Sequence, residues 1–275
     1  MTNRDTDSVV SSTKAYYDGP ADQIYRTIWG DNIHLGVPCS EECPHPEAME
    51  HTNEIMAQAV DLKPETRVLD LGCGYGSTAR YLAAHYGCHV TATNISEKEL
   101  DLGRERAKEE GLDELVLFEY GDFHDLKYDD SSFDVVWSQE AFLHGADKSR
   151  ILAECQRVLV PGGTLVFTDI LVRSGTPDAD RERIYDRVKS PDMWDLSDYR
   201  QALKDLKLDV AREEDWSDHV ARSYGWVRDQ VLANRDELLK LIDADTIDGT
   251  VNALSFWVDA AQANKIGWAM FVAQN

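Results

Sequence analysis

The stretch Val68-Leu69-Asp70-Leu71-Gly72-Cys73-Gly74-Tyr75-Gly76 restricts the fold of this chain more than any other. A short apolar run ending in an acid reads as a buried parallel strand, and glycines at alternate positions turn it into a helix. Gly72 and Gly74 let the backbone pass close to a ligand, and Gly76 lets the helix pack against the sheet. In a dinucleotide site the first glycine follows the strand directly and the turn cradles a pyrophosphate. Here Asp70 precedes the glycines, where a carboxylate repels a pyrophosphate and suits a cation. The turn therefore points to a cationic ligand at the head of a parallel α/β sheet.

Strands and helices alternate around this turn. A helix over 46–62 leads to a strand over 67–71, a helix from 75 to about 86 and a strand over 88–93. Asn94 ends that strand, where nucleoside-binding folds place an acid on the ribose hydroxyls; an amide can bond both hydroxyls as well. Ser96-x-x-Glu99 then caps a charged helix reaching about 110. Strands follow over 115–120 and 133–138, then a helix over 148–159, the turn Pro161-Gly162-Gly163 and a strand over 164–170. Beyond 170 the alternation lapses. Residues 173–200 carry Arg173, Arg187 and Trp194 between turn signals and read as an insertion on the substrate side. Strands over 208–216 and 266–272 form an antiparallel edge pair, with a helical segment over 222–263 between them.

Charge and composition exclude several functions. The chain has 51 acidic against 28 basic residues, a net charge of -23, which argues against nucleic acid or an anionic membrane as partner. No apolar run of about 18 residues offers a membrane span. The polar first twelve residues lack a signal-peptide core and read as disordered, so a cytoplasmic location is expected. Five scattered cysteines do not suggest a disulfide framework. Cys39-x3-Cys43-Pro44-His45 lacks a second ligand pair and reads as a surface loop, with no metal. So acidic a surface repels itself, and concentrated salt screens that repulsion. The expectation is a source that lives in high salt or meets osmotic stress.

The spelling Asp70-x-Gly72-x-Gly74-x-Gly76 resembles motif I of the class I S-adenosylmethionine methyltransferases, whose ligand carries a sulfonium and an ammonium. Leu159-x-Pro161-Gly162-Gly163-x-Leu165 matches a late motif of that superfamily. Three features narrow the resemblance: Tyr17-x7-Tyr25-x3-Trp29-Gly30 in an aromatic, turn-rich cap, Asn94-Ile95-Ser96, and Gln139-Glu140-Ala141-x-x-His144. Together they resemble the sarcosine/dimethylglycine N-methyltransferases, which make glycine betaine; phosphoethanolamine methyltransferases are near relatives. The resemblance is densest over 14–170 and weaker over 173–226. Betaine is an osmolyte, so family and charge agree.

The resemblance implies a Rossmann-like class I methyltransferase: α/β, a seven-stranded mostly parallel sheet with an antiparallel edge strand, an N-terminal helical cap and a substrate-side insertion. One domain spans 1–275, with 1–12 disordered, a cap over 13–45, a cofactor-binding core over 63–172, and the insertion, helices and last strands over 173–275. The implied cofactor is S-adenosyl-L-methionine, without metal. Its expected contacts are Tyr17, Trp29, His34 and Leu35 from the cap, Asp70, Gly72 and Gly74 from motif I, and Asn94, Ile95, Asp122, Phe123 and Gln139. Asp122 matches the family's acid on the adenine amino group, and Phe123 the residue against the ring. Tyr17 and His144 match the paired tyrosine and histidine of the phosphoethanolamine enzymes, as latch and as proton acceptor or orienter. A histidine near its ordinary pKa suits that role.

The partner is a small amine, sarcosine or dimethylglycine. Positive charge at its nitrogen would be stabilised by aromatic faces at about 0.5–2 kcal/mol each, with Trp29, Trp137, Trp194 and Tyr224 as candidates. Its carboxylate calls for a guanidinium fork, from Arg173 or Arg187. Another small amine such as phosphoethanolamine, a carbon acceptor, or cofactor binding without catalysis are the competing readings. One methyl separates sarcosine from dimethylglycine, worth about 1–3 kcal/mol in a pocket, and the sequence leaves that choice and the oligomeric state open.

Overall fold

The computed structural model describes residues 3–17, 28, 30 and 32–275. Its sheet contains β1 (Arg67–Leu71), β2 (His89–Asn94), β3 (Val116–Tyr120), β4 (Phe133–Gln139), β5 (Leu159–Val172), β6 (Asp209–Asp215) and β7 (Ile266–Gln274). The spatial order is β3-β2-β1-β4-β5-β7-β6. β1 to β5 are parallel, and β7 runs antiparallel to both β5 and β6. The last two strands form the antiparallel edge pair that the sequence suggested, with β7 inside β6.

The helices are α1 (Asn3–Tyr17), α2 (His45–Gln58), α3 (Ser77–Tyr86), α4 (Glu97–Glu109), α5 (Lys148–Val158), α6 (Asp178–Val188), α7 (Leu196–Asp205), α8 (Val220–Ala233), α9 (Arg235–Leu238) and α10 (Ala244–Gln262). Side chains of a strand alternate between faces, so each strand supplies two cores. Val68, Val90, Val166 and Met270 pack on one face with Leu82 of α3, Val227 of α8 and Leu254 of α10. Leu69, Leu71, Phe167 and Phe271 pack on the other with Ile151 and Cys155 of α5 and Leu203 of α7. Burial on both faces explains the unbroken apolar runs in the sequence.

Several local expectations change. Residues 3–12, read from the sequence as disordered, lie in α1, which begins at Asn3, and Thr13 on the same helix is buried. α2 stops at Gln58, short of 62. Pro161-Gly162-Gly163 is not a separate turn, because β5 runs through it for 14 residues. The register slips from Phe133↔Leu159 to Val135↔Thr164, which absorbs the extra residues. Cys39 and Cys43, read from the sequence as a plain surface loop, are joined in a disulfide.

From β1 the chain steps outward to β2 and β3, then returns to β4 on the other side of β1. The loops beyond β1 and β4 diverge there and leave a crevice, the usual ligand position of such sheets. Among the described residues no helix is long and apolar enough to cross a membrane.

Candidate active site

A cleft partly open to solvent lies at this crevice. Its walls come from the loops after β1 to β4, the segment around 32–34, and Val10 and Thr13 of α1.

The loop after β1 is folded back onto β2, with the Gly72 and Cys73 N–H groups donating to the Thr93 carbonyl at 2.9 and 3.0 Å. Gly72 has φ 73°, and a Cβ there would stand 2.4 Å from Cβ of Ala141. The glycine, which also lines the cleft, is thus demanded by the chain after β4. Gly76 serves the packing role read from the sequence, since a Cβ would lie 2.2 Å from the Phe118 ring.

Asp70 is 3 % exposed and lines the cleft. Its Oδ2 has no hydrogen-bond partner among the described residues, and burial pushes its pKa up to about 7. A buried carboxylate oxygen without a donor is costly, and a cationic ligand would remove that cost.

Asn94 also lines the cleft, but its amide is engaged in the protein. Nδ2 donates to Glu99 Oε2 at 2.6 Å and to the Gly74 carbonyl at 3.3 Å, while Oδ1 accepts from the Ser96 N–H. Glu99, 3 % exposed, stands in the cleft wall where a ribose acid would be sought. Sequence reasoning missed it because Ser96-x-x-Glu99 reads as a capping box. Ser96 does cap Glu99 N–H at 3.3 Å, but the Glu99 carboxylate turns to Asn94.

Asp122 and Phe123 line the same cleft. Asp122 Oδ1 accepts from the His124 backbone N–H and lies 2.7 Å from His124 Nδ1. His124 Nε2 accepts from the Ala146 N–H at 3.1 Å, so Nδ1 carries the proton and donates to Asp122. Charge-assisted bonding by His124 outweighs burial and holds the Asp122 carboxyl below its usual range.

After β4, Gln139 is fixed on three sides. Its Oε1 accepts from Thr78 Oγ1 at 2.8 Å and Trp137 Nε1 at 3.1 Å, and its Nε2 donates to Asn53 Oδ1. Trp137 is fully buried and steadies Gln139 from the core; it does not line the cleft. Glu140 was legible only as part of a family spelling, and the structure gives it a larger part. Its carboxylate accepts from the Leu35 N–H at 3.1 Å, Thr168 Oγ1 at 2.6 Å and Trp268 Nε1 at 2.6 Å. Burial nonetheless pushes its pKa up to about 7. Leu35 is therefore a strap residue, tied by its backbone to Glu140 and buried by its side chain.

Ile95, His34 and His144 complete the lining among the residues expected from sequence. His34 Nδ1 lies 2.9 Å from the Leu35 carbonyl and so donates, which leaves Nε2 as an acceptor; burial lowers its pKa to about 4. His144 sits on the 3₁₀ turn Phe142–His144. Burial, helped by the charge of Lys148, lowers its pKa to about 3. The expectation of an ordinary pKa is thus corrected: this imidazole is neutral across the working range.

The structure brings other expected residues to different places. Arg173 bonds Asp215 Oδ2 and Ser217 Oγ, both at 2.6 Å, with Asp195 3.9 Å away, which makes it a clamp near the sheet edge. Arg187 stands 5.4 and 5.3 Å from the ring centroids of Tyr224 and Trp257, which pack edge to face on each other. Trp194 packs edge to face on Tyr199. Arg173, Arg187, Trp194 and Tyr224 are not among the residues lining the cleft. Trp29 and the side chain of Tyr17 lie outside the described residues.

Comparison with known proteins adds to this geometry. Residues 69–167 match the methyltransferase domain family. The chain is 38 % identical to the sarcosine/dimethylglycine N-methyltransferase of Halorhodospira halochloris, over 98 % of both chains. It is 38 % identical to the glycine/sarcosine/dimethylglycine N-methyltransferase of Actinopolyspora halophila, covering 97 % of this chain and 48 % of that one. Among solved structures, a Galdieria sulphuraria protein provisionally named as a sarcosine dimethylglycine methyltransferase superposes with a TM-score of 0.86 at 28 % identity, over 93 % of this chain and 98 % of the other.

Proposed function

Because this chain belongs to the sarcosine/dimethylglycine N-methyltransferase family, we propose that it methylates sarcosine, dimethylglycine or both at nitrogen, the last step giving glycine betaine. It is a methyltransferase of the S-adenosylmethionine-dependent kind. The observation that carries the reading within the fold is Asp70, a buried carboxylate whose Oδ2 lacks a donor, in a cleft suited to a cationic nucleoside.

When bound, S-adenosylmethionine supplies an electrophilic methyl group on a sulfonium. We assign its retention to Asp70 at the charged end, Glu99 and Asn94 at the ribose, and Asp122 with Phe123 at the base. The strap around His34 and Leu35 would close over it. The amine substrate attacks through its lone pair, so it must first lose its proton. His144 is held neutral, so it can accept a hydrogen bond from the amine and aim the nitrogen; positioning and desolvation do most of the rest. Glu140 adds a second buried acid to the same wall. Arg173 is already engaged by Asp215 and Ser217, and neither it nor Arg187 is among the residues lining the cleft, so the substrate carboxylate is left unassigned.

A turnover assay with S-adenosylmethionine against glycine, sarcosine, dimethylglycine and phosphoethanolamine tests this. Dimethylglycine should give betaine, identified by mass. Turnover of phosphoethanolamine alone would replace the reading with that of a phosphate-bearing amine, and competitive inhibition by free phosphate would accompany it.

A further inference from the structure

The turn that presents His144 is gripped by side chains that do not themselves line the cleft. The Leu143 N–H donates to Asp169 Oδ1 at 3.2 Å, and the Leu143 carbonyl accepts from the Ser190 hydroxyl at 2.5 Å. One residue before His144, the backbone is therefore held on both sides. The His144 N–H closes the turn on the Ala141 carbonyl at 3.1 Å. One residue after His144, the Gly145 carbonyl accepts from Lys148 Nζ, which also donates to the Asp192 carbonyl at 2.6 Å. The turn is thus tied to β5 through Asp169 and to the 190–193 loop through Ser190 and Lys148.

Asp169 is fully buried on a strand whose neighbours Phe167, Ile170 and Leu171 are apolar. Its second oxygen accepts from the Tyr199 hydroxyl at 2.5 Å. Lys148, 3 % exposed, is the buried cation nearby. Buried charges of this kind add little net stability over apolar side chains of the same size. What they supply is geometry. A shift of about 1 Å in a reacting group can cost about 10²-fold in rate, so a turn held this firmly has a kinetic use.

We propose that Asp169 and Ser190 are positioning residues for methyl transfer: they hold the Leu143 backbone on both sides and so set where the His144 imidazole stands. The inference rests on the role assigned to His144. Its test is a double-mutant cycle on the full chain, with kcat measured on dimethylglycine and S-adenosylmethionine affinity by calorimetry. His144→Ala should lower kcat by about 10²-fold, as for the loss of the group that aims the attacking nitrogen. Asp169→Asn and Ser190→Ala should each lower kcat by about tenfold while cofactor affinity stays within about twofold. In the His144→Ala background each should cost less than about twofold, because the group they aim is gone. Losses that multiply instead would assign them a merely structural role and overturn the inference, while leaving His144 in place. Full turnover in His144→Ala would remove the assigned role of His144 and the inference with it. Should Asp169→Asn fail to fold, the Ser190→Ala cycle decides by the same criterion.

Discussion

A carboxylate buried in a cleft wall with an unbonded oxygen holds its proton until something positive arrives. Asp70 has a pKa near 7 in the folded chain against 3.8 for an ordinary aspartate, with burial as the cause. Between about pH 4 and 7 the folded state therefore keeps a proton that the unfolded state has lost, and this residue's contribution to stability falls as pH rises through that window. A cation in the cleft reverses the preference, since it favours the ionised form. Affinity for S-adenosylmethionine should tighten by up to about tenfold per pH unit from 5.5 to 7 and level off above, with a proton released on binding at the acid end. Calorimetry in buffers of different ionisation enthalpy reads both. Asp70→Asn should flatten the profile; if the slope survives that change and vanishes instead in Glu140→Gln, the cation sits against Glu140.

Over residues 32–37 the chain borders the cleft as a strap, and its bonds explain why an irregular segment has a fixed path. Leu35 N–H is held by Glu140, Gly36 N–H by Ser223 Oγ at 3.3 Å, and Val37 N–H by Thr52 Oγ1 at 2.9 Å. Three consecutive amides thus reach the residue after β4, α8 and α2. Gly36 leaves no room for more: a Cβ would lie 2.7 Å from Cβ of Ala48 and 2.9 Å from its carbonyl carbon. Gly36→Ala must push the strap off α2, at an overpacking cost of about 1–3 kcal/mol. The thermal midpoint should fall by roughly 2–4 °C for each kcal/mol, and cofactor affinity should weaken because Leu35 is drawn from Glu140. A variant with both quantities unchanged would show that the strap plays no part in closing the cleft. The sequence marked this stretch as a cap from its aromatic residues, yet the strap depends on amides and hydroxyls from three distant elements, which no local pattern reveals. Residue-level errors have the same origin. Arg173 reads as free to bind substrate until β6 brings Asp215, 42 residues on, to its guanidinium. Asp169 reads as one more strand residue until Tyr199 and Leu143 meet it. β1 and its glycine turn were legible because their signals, an apolar run and φ-permissive residues, lie within nine positions.

At the scale of the whole molecule, alternation of strand and helix was enough to foresee the sheet, its edge pair and the crevice, since topology follows from the order of elements. α1 was not foreseen: a polar segment without a clear apolar stripe reads as disorder, and only contact with the cleft reveals its place. Net charge is the other whole-molecule property, and here two electrostatic effects oppose each other. Exposed pairs such as Lys63 with Asp61, with side chains 53 % and 79 % exposed, contribute little and weaken as salt rises. Against them stands the repulsion of 51 acids facing 28 bases. Screening shortens from about 10 Å at 0.1 M to about 3 Å at 1 M, which removes most of the repulsion between acids that do not touch. Contact pairs, with charges closer than that, keep more of their attraction. Repulsion is therefore the larger loss, and the unfolding midpoint should climb from 0.1 M to molar sodium chloride. Charge-reversing a cluster of exposed acids to lysine should flatten that climb without altering turnover. A midpoint that fell steadily with salt would mean that the ion pairs dominate, and the acidic surface would then need an explanation other than tolerance of a concentrated electrolyte.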